Sequence, residues 1–271
     1  MTAKIFKLRG EPGQRLDLSV LTPQQLNGLS ETDLAALTVG AGKAAPTLGD
    51  IFGITMGDPA DIRIVGGGAR LDGIGAGLTR GRIVVEGDAG AYAARGMTGG
   101  ELHIAGSAGP FAGSGMAGGL MHIGVDAGDW LGAPGTGEMT GMRGGTIVVA
   151  GRVGDRAGDR MRRGLIAVGG NAGDFPASRM IAGTLAIFGD CGRLPGYMMR
   201  RGTILVGGHS TAWTPTFGES GVVELTMLRL ILRELKAWLP DAGLAAFEGP
   251  VQRYAGDLAA LGKGEIIQPA A

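Results

Sequence analysis

The chain has 271 residues, 55 of them Gly, and its 25 basic side chains balance its 25 acidic ones. The glycines keep no Gly-X-Y period, which excludes a collagen-type helix; 44% apolar content excludes a disordered chain, and zero net charge excludes a polycation built for nucleic acid. One Cys excludes an internal disulfide and any Cys-x-x-Cys metal site, and aromatics at 5% leave the core to Ile, Val, Leu and Met.

In chain order, residues 1–56 do not repeat and are expected to cap whatever follows. The opening MTAKIFKLRGEPG lacks the apolar core of a signal peptide. Together with the lone Cys, it leads us to expect a cytoplasmic protein. Thr22-Pro23 predicts a short helix with Thr as N-cap, and Ser30 followed by Asp33 predicts another helix start.

From residue 57 a frame recurs. Leu78, Met97, Met116, Met142, Met161, Met180 and Met199 are separated by 19 residues, except for one step of 26. Three residues after each stands Gly: 81, 100, 119, 145, 164, 183 and 202. Five after comes a large apolar residue (Ile83, Leu102, Met121, Ile147, Ile166, Leu185, Ile204), and seven after a β-branched one (Val85, Ile104, Ile123, Val149, Val168, Ile187, Val206). A degenerate copy precedes these at Asp61–Gly66. Alternation at offsets five and seven is the period of a strand. Gly at several fixed places argues against helices, where each costs ~1 kcal/mol. The expected fold is all-β: a right-handed parallel β-helix of about eight coils stacked ~4.8 Å apart, with short N- and C-terminal helical segments. The expected units are 1–56 (cap), 57–221 (β-helix) and 222–271 (helix and tail).

Further columns follow from the same alignment. Offset fourteen carries Tyr92, Phe111, Trp130, Arg156, Phe175, Leu194 and Trp213, a mostly aromatic file expected to stack. Offset eleven is mostly Ala (Ala89, Ala108, Ala127, Val153, Ala172, Cys191, Ser210), so Cys191 takes the place of a small buried residue, which points to packing rather than nucleophilic chemistry. The 26-residue step inserts seven residues around 134–140, an expected contact loop. Val222–Leu239 predicts an amphipathic helix with Leu225, Leu228, Leu232, Leu235 and Leu239 on one stripe, placed over an open sheet edge. Its charges exclude a membrane span. PVQRYAGDLAALGKGEI, from residue 250, is expected as a mixed polar tail.

Catalytic motifs are missing: there is no Gly-x-Ser-x-Gly, His-Glu-x-x-His or P-loop, and the Gly-x-Gly spacings near residues 64–77 belong to the repeat. His103 and His122 fall at offset six of adjacent repeats, a column without a third ligand, so no metal is expected. The rest of that column is apolar, so the terminal segments or another subunit must cover it. Asp155, Asp159, Asp174 and Asp190 are read as turn residues bonding their own backbone. Arg143, Arg160, Arg162, Arg163, Arg179, Arg200 and Arg201 cluster beside the Met positions of the later repeats. They form either a solvated face with nearby Asp partners or a basic strip for an acidic partner or polyanionic ligand.

The frame M-x-x-G-x-I-x-V-x-G-x-x-G resembles the Gly-rich domain at the C-terminus of glutamate synthase large subunits and in the C subunit of formylmethanofuran dehydrogenases. Residues 21–52, LTPQQLNGLSETDLAALTVGAGKAAPTLGDIF, and the tail RYAGDLAALGKGEI look like that C subunit, as does a free-standing chain of this length. The resemblance implies a protein without catalytic residues of its own, with chemistry on sister chains. One branch of that family is a molybdenum or tungsten dehydrogenase. The other is a bacterial formyltransferase/hydrolase complex that moves a formyl group from tetrahydromethanopterin to a methanofuran-type carrier and releases formate during formaldehyde oxidation in methylotrophy. Much Ala, Gly and Arg with little Lys points to the bacterial branch. The implied partners are an amidohydrolase-like hydrolase, a formyltransferase and a molybdopterin-protein-like subunit, without nucleic acid or membrane. No cofactor is expected on this chain alone; the carrier belongs to the complex, and its glutamate-rich tail is a candidate ligand for the Arg strip. A stand-alone β-helix enzyme on a polyanionic substrate and a detached glutamate-synthase-like domain are the alternatives.

Overall fold

The computed structural model describes residues 2–40, 45–240 and 242–270; positions 41–44 of the N-terminal stretch that carries the family resemblance lie outside the described residues. The chain is mostly β and carries one large, mostly parallel sheet. In chain order its elements are β1 (Ala3–Leu8), β2 (Leu16–Asp17), α1 (Pro23–Leu26), α2 (Glu31–Ala35), α3 (Leu48–Ile51), β3 (Phe52–Thr55), β4 (Asp58–Val65) and β5 (Leu71–Asp72). There follow β6 (Arg82–Glu86), β7 (Glu101–Ile104), β8 (Ala117–Ile123), β9 (Arg143–Val149), β10 (Arg163–Val168), β11 (Thr184–Ile187) and β12 (Arg201–Val206). The chain ends with β13 (Gly218–Val223), α4 (Thr226–Leu235), β14 (Val251–Gly256) and β15 (Lys263–Pro269). Thirteen strands form the main sheet in the order β13-β14-β15-β12-β11-β10-β9-β8-β7-β6-β4-β1-β3.

The register follows the repeat. Ile62, Ile83, Leu102, Met121, Ile147, Ile166, Leu185 and Ile204 pair in parallel from strand to strand, and all are fully buried. The β-branched residues two positions on form a second buried file. Offset eleven makes a further ladder of parallel bridges from Ala89 to Ser210, passing through Cys191. Burial pushes the Cys191 thiol up to about 11, which leaves it without the thiolate that reactivity requires.

The Met-x-x-Gly spacing has a steric cause. Each Gly at offset three has positive φ, from 79° at Gly100 to 112° at Gly183, a region where only Gly is unstrained. The frame residues Met97, Met116, Met142, Met161, Met180 and Met199 are fully buried, and each packs against the corresponding Gly of the next strand. A Cβ on Gly164 would lie 2.8 Å from the Met142 Cε and 2.7 Å from the Gly145 carbonyl oxygen. The flexible thioether thus fills the space that a missing side chain leaves.

The termini differ from expectation at both ends. β1 joins the sheet edge in parallel with β4, and β3 covers β1 in antiparallel, so strands as well as helices cap this end; α2 carries the expected capping box between Ser30 and Asp33, whereas Thr22 precedes α1 without a side-chain cap. α4 starts at Thr226, because β-branched Val222 and Val223 are drawn into β13 opposite Gln252 and Val251. That helix lies across the outer face of the sheet and not over its edge: Leu228, Leu232 and Leu235, with Leu239 just beyond the helix, pack in one cluster with Val148, Ala167, Ala186 and Leu205. The supposed polar tail is a hairpin, β14–β15, and β15 adds in parallel to β12. Its Lys-Gly-Glu-Ile-Ile aligns with Arg-Gly-Thr-Ile-Leu of β12, a further copy of the strand frame.

Gly164→Ala is therefore expected to lose about 2–4 kcal/mol in urea unfolding, from backbone strain and overpacking together. Gly68→Ala, where a Cβ meets nothing within 4 Å, is expected to change stability by less than about 1 kcal/mol. Equal losses at the two positions would contradict the corner mechanism.

Candidate functional site

The corner formed by Met and Gly also exposes what lies between them. With Met turned inward and Gly turning the chain, the residues at offsets one and two face outward: Arg143, Arg162, Arg163, Arg200 and Arg201 are all exposed. Parallel register sets Arg143 beside Arg163, and Arg201 beside Lys263 of β15. The intervening repeat carries Ile181 and Ala182 there, and the shorter side chains leave a groove of about 630 Å³, lined also by Leu261. Ten ion pairs occur among the described residues, and none involves these five arginines. The expected Asp partners are absent here because the acids sit in other columns.

Arg160 and Arg179 go elsewhere. Arg179 grips the buried Asp159 through Nε and Nη2 at 3.0 and 2.7 Å, and the Ser178 hydroxyl donates to the same carboxylate. Arg160 lines a smaller cavity of about 260 Å³ with Phe111, Trp130 and Arg179, its Nη1 lying 3.5 Å from the Met139 sulfur. The seven arginines therefore divide into five lining one groove, one structural ion pair and one neighbour of the insertion.

The insertion contributes a residue that has no counterpart among the sequence-predicted sites. Glu138 accepts from Arg95 at 2.8 Å and from the Gly135 N–H at 3.3 Å. The Arg95 hydrogen bond holds its carboxyl below the usual range. The available signal was a lone acid in an insertion beside an arginine file, but a segment that breaks the period has no column from which to read a partner. Tyr92 also reaches the loop, its hydroxyl 3.2 Å from that of Thr136.

Other candidates resolve into structure. Asp88, Asp126 and Asp190, like Asn171, accept backbone N–H groups of the following repeat, and Asp129, Asp155 and Asp174 form a second such column. These acids tie one repeat to the next rather than closing their own turns. The aromatic column stacks: Tyr92 on Phe111 at 5.0 Å, Phe111 on Trp130 at 5.8 Å, and the Arg156 guanidinium between Trp130 and Phe175 at 5.0 and 4.9 Å. Trp213 leaves that file to stack on Tyr254 of β14. His103 and His122 lie under Trp238, with ring separations of 5.7 and 5.1 Å, so the C-terminal segment covers that column. Burial, then the neighbouring His103, lowers the His122 pKa. Among the described residues no cluster of three or more metal-ligating side chains occurs, and no helix is long and apolar enough to cross a membrane.

Arg179→Ala leaves Asp159 buried without its cation, and an expected loss of about 2–4 kcal/mol follows in chemical denaturation. Arg200→Ala touches no partner and is expected to stay within about 0.5 kcal/mol of the parent. A large loss at Arg200 would show that the groove arginines serve the fold.

No family model matches the chain. It is 56% identical over 265 residues, 98% of its length and 99% of the relative's, to the C subunit of the formyltransferase/hydrolase complex Fhc of Methylorubrum extorquens. It superposes with a TM-score of 0.92 on a chain of the X-ray structure of the formyltransferase/hydrolase complex FhcABCD from the same organism in complex with methylofuran. That alignment covers 98% of this chain and 100% of the other at 47% identity.

Proposed function

Because this chain belongs to the family of Fhc C subunits, the C subunits of formyltransferase/hydrolase complexes, we propose that it serves as the structural, non-catalytic member of such a complex in the cytoplasm. The complex converts formyl-tetrahydromethanopterin to formate through a formyl-methanofuran-type carrier. The sister chains are the amidohydrolase-like hydrolase, the formyltransferase and the molybdopterin-protein-like subunit. The parallel pairing that runs from β4 to β12, irregular only at the start of the β8–β9 and β9–β10 pairs, with a second ladder of bridges at offset eleven, supports reading the sheet as one face of a right-handed parallel β-helix spanning residues 57–221. Residues 1–56 and 222–271 then form its caps.

The role we assign to the arginine groove is to hold the carrier's glutamate-rich tail. One observation carries this: five guanidinium groups line a single groove without a carboxylate partner among the described residues. Like charges held together repel, and an anion relieves the repulsion. Guanidinium suits the task because its planar fork matches a carboxylate and stays charged at any working pH. Such groups fix and orient an anion but do not take up or release its protons, which fits anchoring rather than chemistry. A tail held at many weak points leaves its reactive end to move between sister active sites.

The test is to replace Arg162, Arg163, Arg200 and Arg201 by Ala and measure the carrier that co-purifies with the complex. Retention is expected to fall on the order of tenfold or more, since several exposed charge pairs are lost together. Unchanged retention in an intact complex would rule the anchoring role out.

A further inference from the structure

The arginine groove does not end at Arg143. A second cavity of about 380 Å³ shares the side chains of Arg143 and Arg162 as a common wall and adds Arg95 and Ser114, with Glu138 of the insertion on its rim. Three features of this cavity point to a ligand carboxylate. Ser114 is fully buried and its hydroxyl has no hydrogen-bond partner, whereas buried hydroxyls are ordinarily satisfied. Glu138 is the sole acid lining either cavity, and it already sits on Arg95 as a bound carboxylate would. Glu138 is also exposed and carried by an insertion, so its pairing with Arg95 is open to water and to exchange with an outside carboxylate.

We propose that Arg95, Ser114, Arg143 and Arg162 form a terminal carboxylate site continuous with the arginine groove, and that Glu138 occupies it as an internal stand-in until an acidic chain displaces it. This inference rests on the reading of the groove as an anion track. The track runs from the strand after Arg95 to that of Arg201, five strand spacings or roughly 24 Å. That is the length of about seven residues of extended peptide. The ligand class is accordingly an extended chain carrying successive carboxylates, not a single small anion. The Ser114 hydroxyl would donate to the last of them, and Arg95 would exchange Glu138 for it.

The experiment is fluorescence anisotropy of a labelled α-linked heptaglutamate peptide with the full-length chain. Glu138→Gln removes the competing charge while keeping an acceptor for the Gly135 N–H. It is expected to tighten binding about threefold or more, in line with one charge-assisted hydrogen bond released for the ligand. The gain is expected to vanish when Arg95→Ala or Ser114→Ala is added. An unchanged or weaker affinity in Glu138→Gln would overturn the terminal site. So would an equal gain in the Arg95→Ala background, which would reveal a general charge effect. In either case the groove reading survives if Arg200→Ala with Arg201→Ala still weakens binding. If neither the parent chain nor Glu138→Gln binds heptaglutamate, the groove reading falls and takes the terminal site with it.

Discussion

A strand register that advances one repeat at a time is the constraint from which the other features derive. Residues at one offset meet their equivalents ~4.8 Å away in the neighbouring strand, so any residue type kept at that offset becomes a linear file. Inside the molecule the files are aliphatic: Ile83, Leu102, Ile147 and Ile166 lie in one, with a Met file at the corner. Outside, the same rule turns single arginines into an array and single aromatics into a stack. The array follows from geometry, and its meaning lies in what is missing beside it. Carboxylates are plentiful, but they are used as acceptors for backbone N–H groups at other offsets.

The surface divides accordingly. One outer face is closed by α4 and Trp238 over the offset-six column. Another carries the ladder from Tyr92 to Phe175, whose residues hold left-handed backbone angles and donate their N–H groups to the next repeat, as Phe111 does to the Asp129 carbonyl and Trp130 to that of Asp155. The corner between Met and Gly is left to the arginines, with the insertion at one end and the β14–β15 hairpin at the other. A row of arginines along one side of the sheet is the feature on which the proposed anchoring role rests.

What the sequence disclosed was whatever shared its period. The inward files, the stacked aromatics and the inert Cys191 could all be read by column. The structure departs from the sequence reading where side chains reach across repeats or where the period stops. Asp155 and Asp174 look like turn residues in isolation, because a partner 19 residues away is invisible to local rules. Arg179 sits in the arginine cluster by position but belongs to Asp159 by contact. The hairpin hides a copy of the strand frame at Lys263–Ile267 because 56 residues of other structure separate it from its counterpart, and α4 reaches a face rather than an edge because the apolar offset-six column is there to bury its leucines. Glu138 is invisible to a reading by columns because an insertion has none, and its pairing with Arg95 is hidden with it.

The most direct test of the register is to remove one whole repeat. Deleting residues 97–115 joins Gly96 to Met116 and leaves the sheet residues buried by α4's leucines in place; deleting 97–114 shifts every later residue by one position relative to the earlier strands. Thermal unfolding followed by circular dichroism should show one cooperative transition for the 19-residue deletion, at a lower temperature than the parent. It should show none for the 18-residue deletion, because a one-residue slip turns the buried files outward. Two deletions that unfold alike would contradict the account at its root.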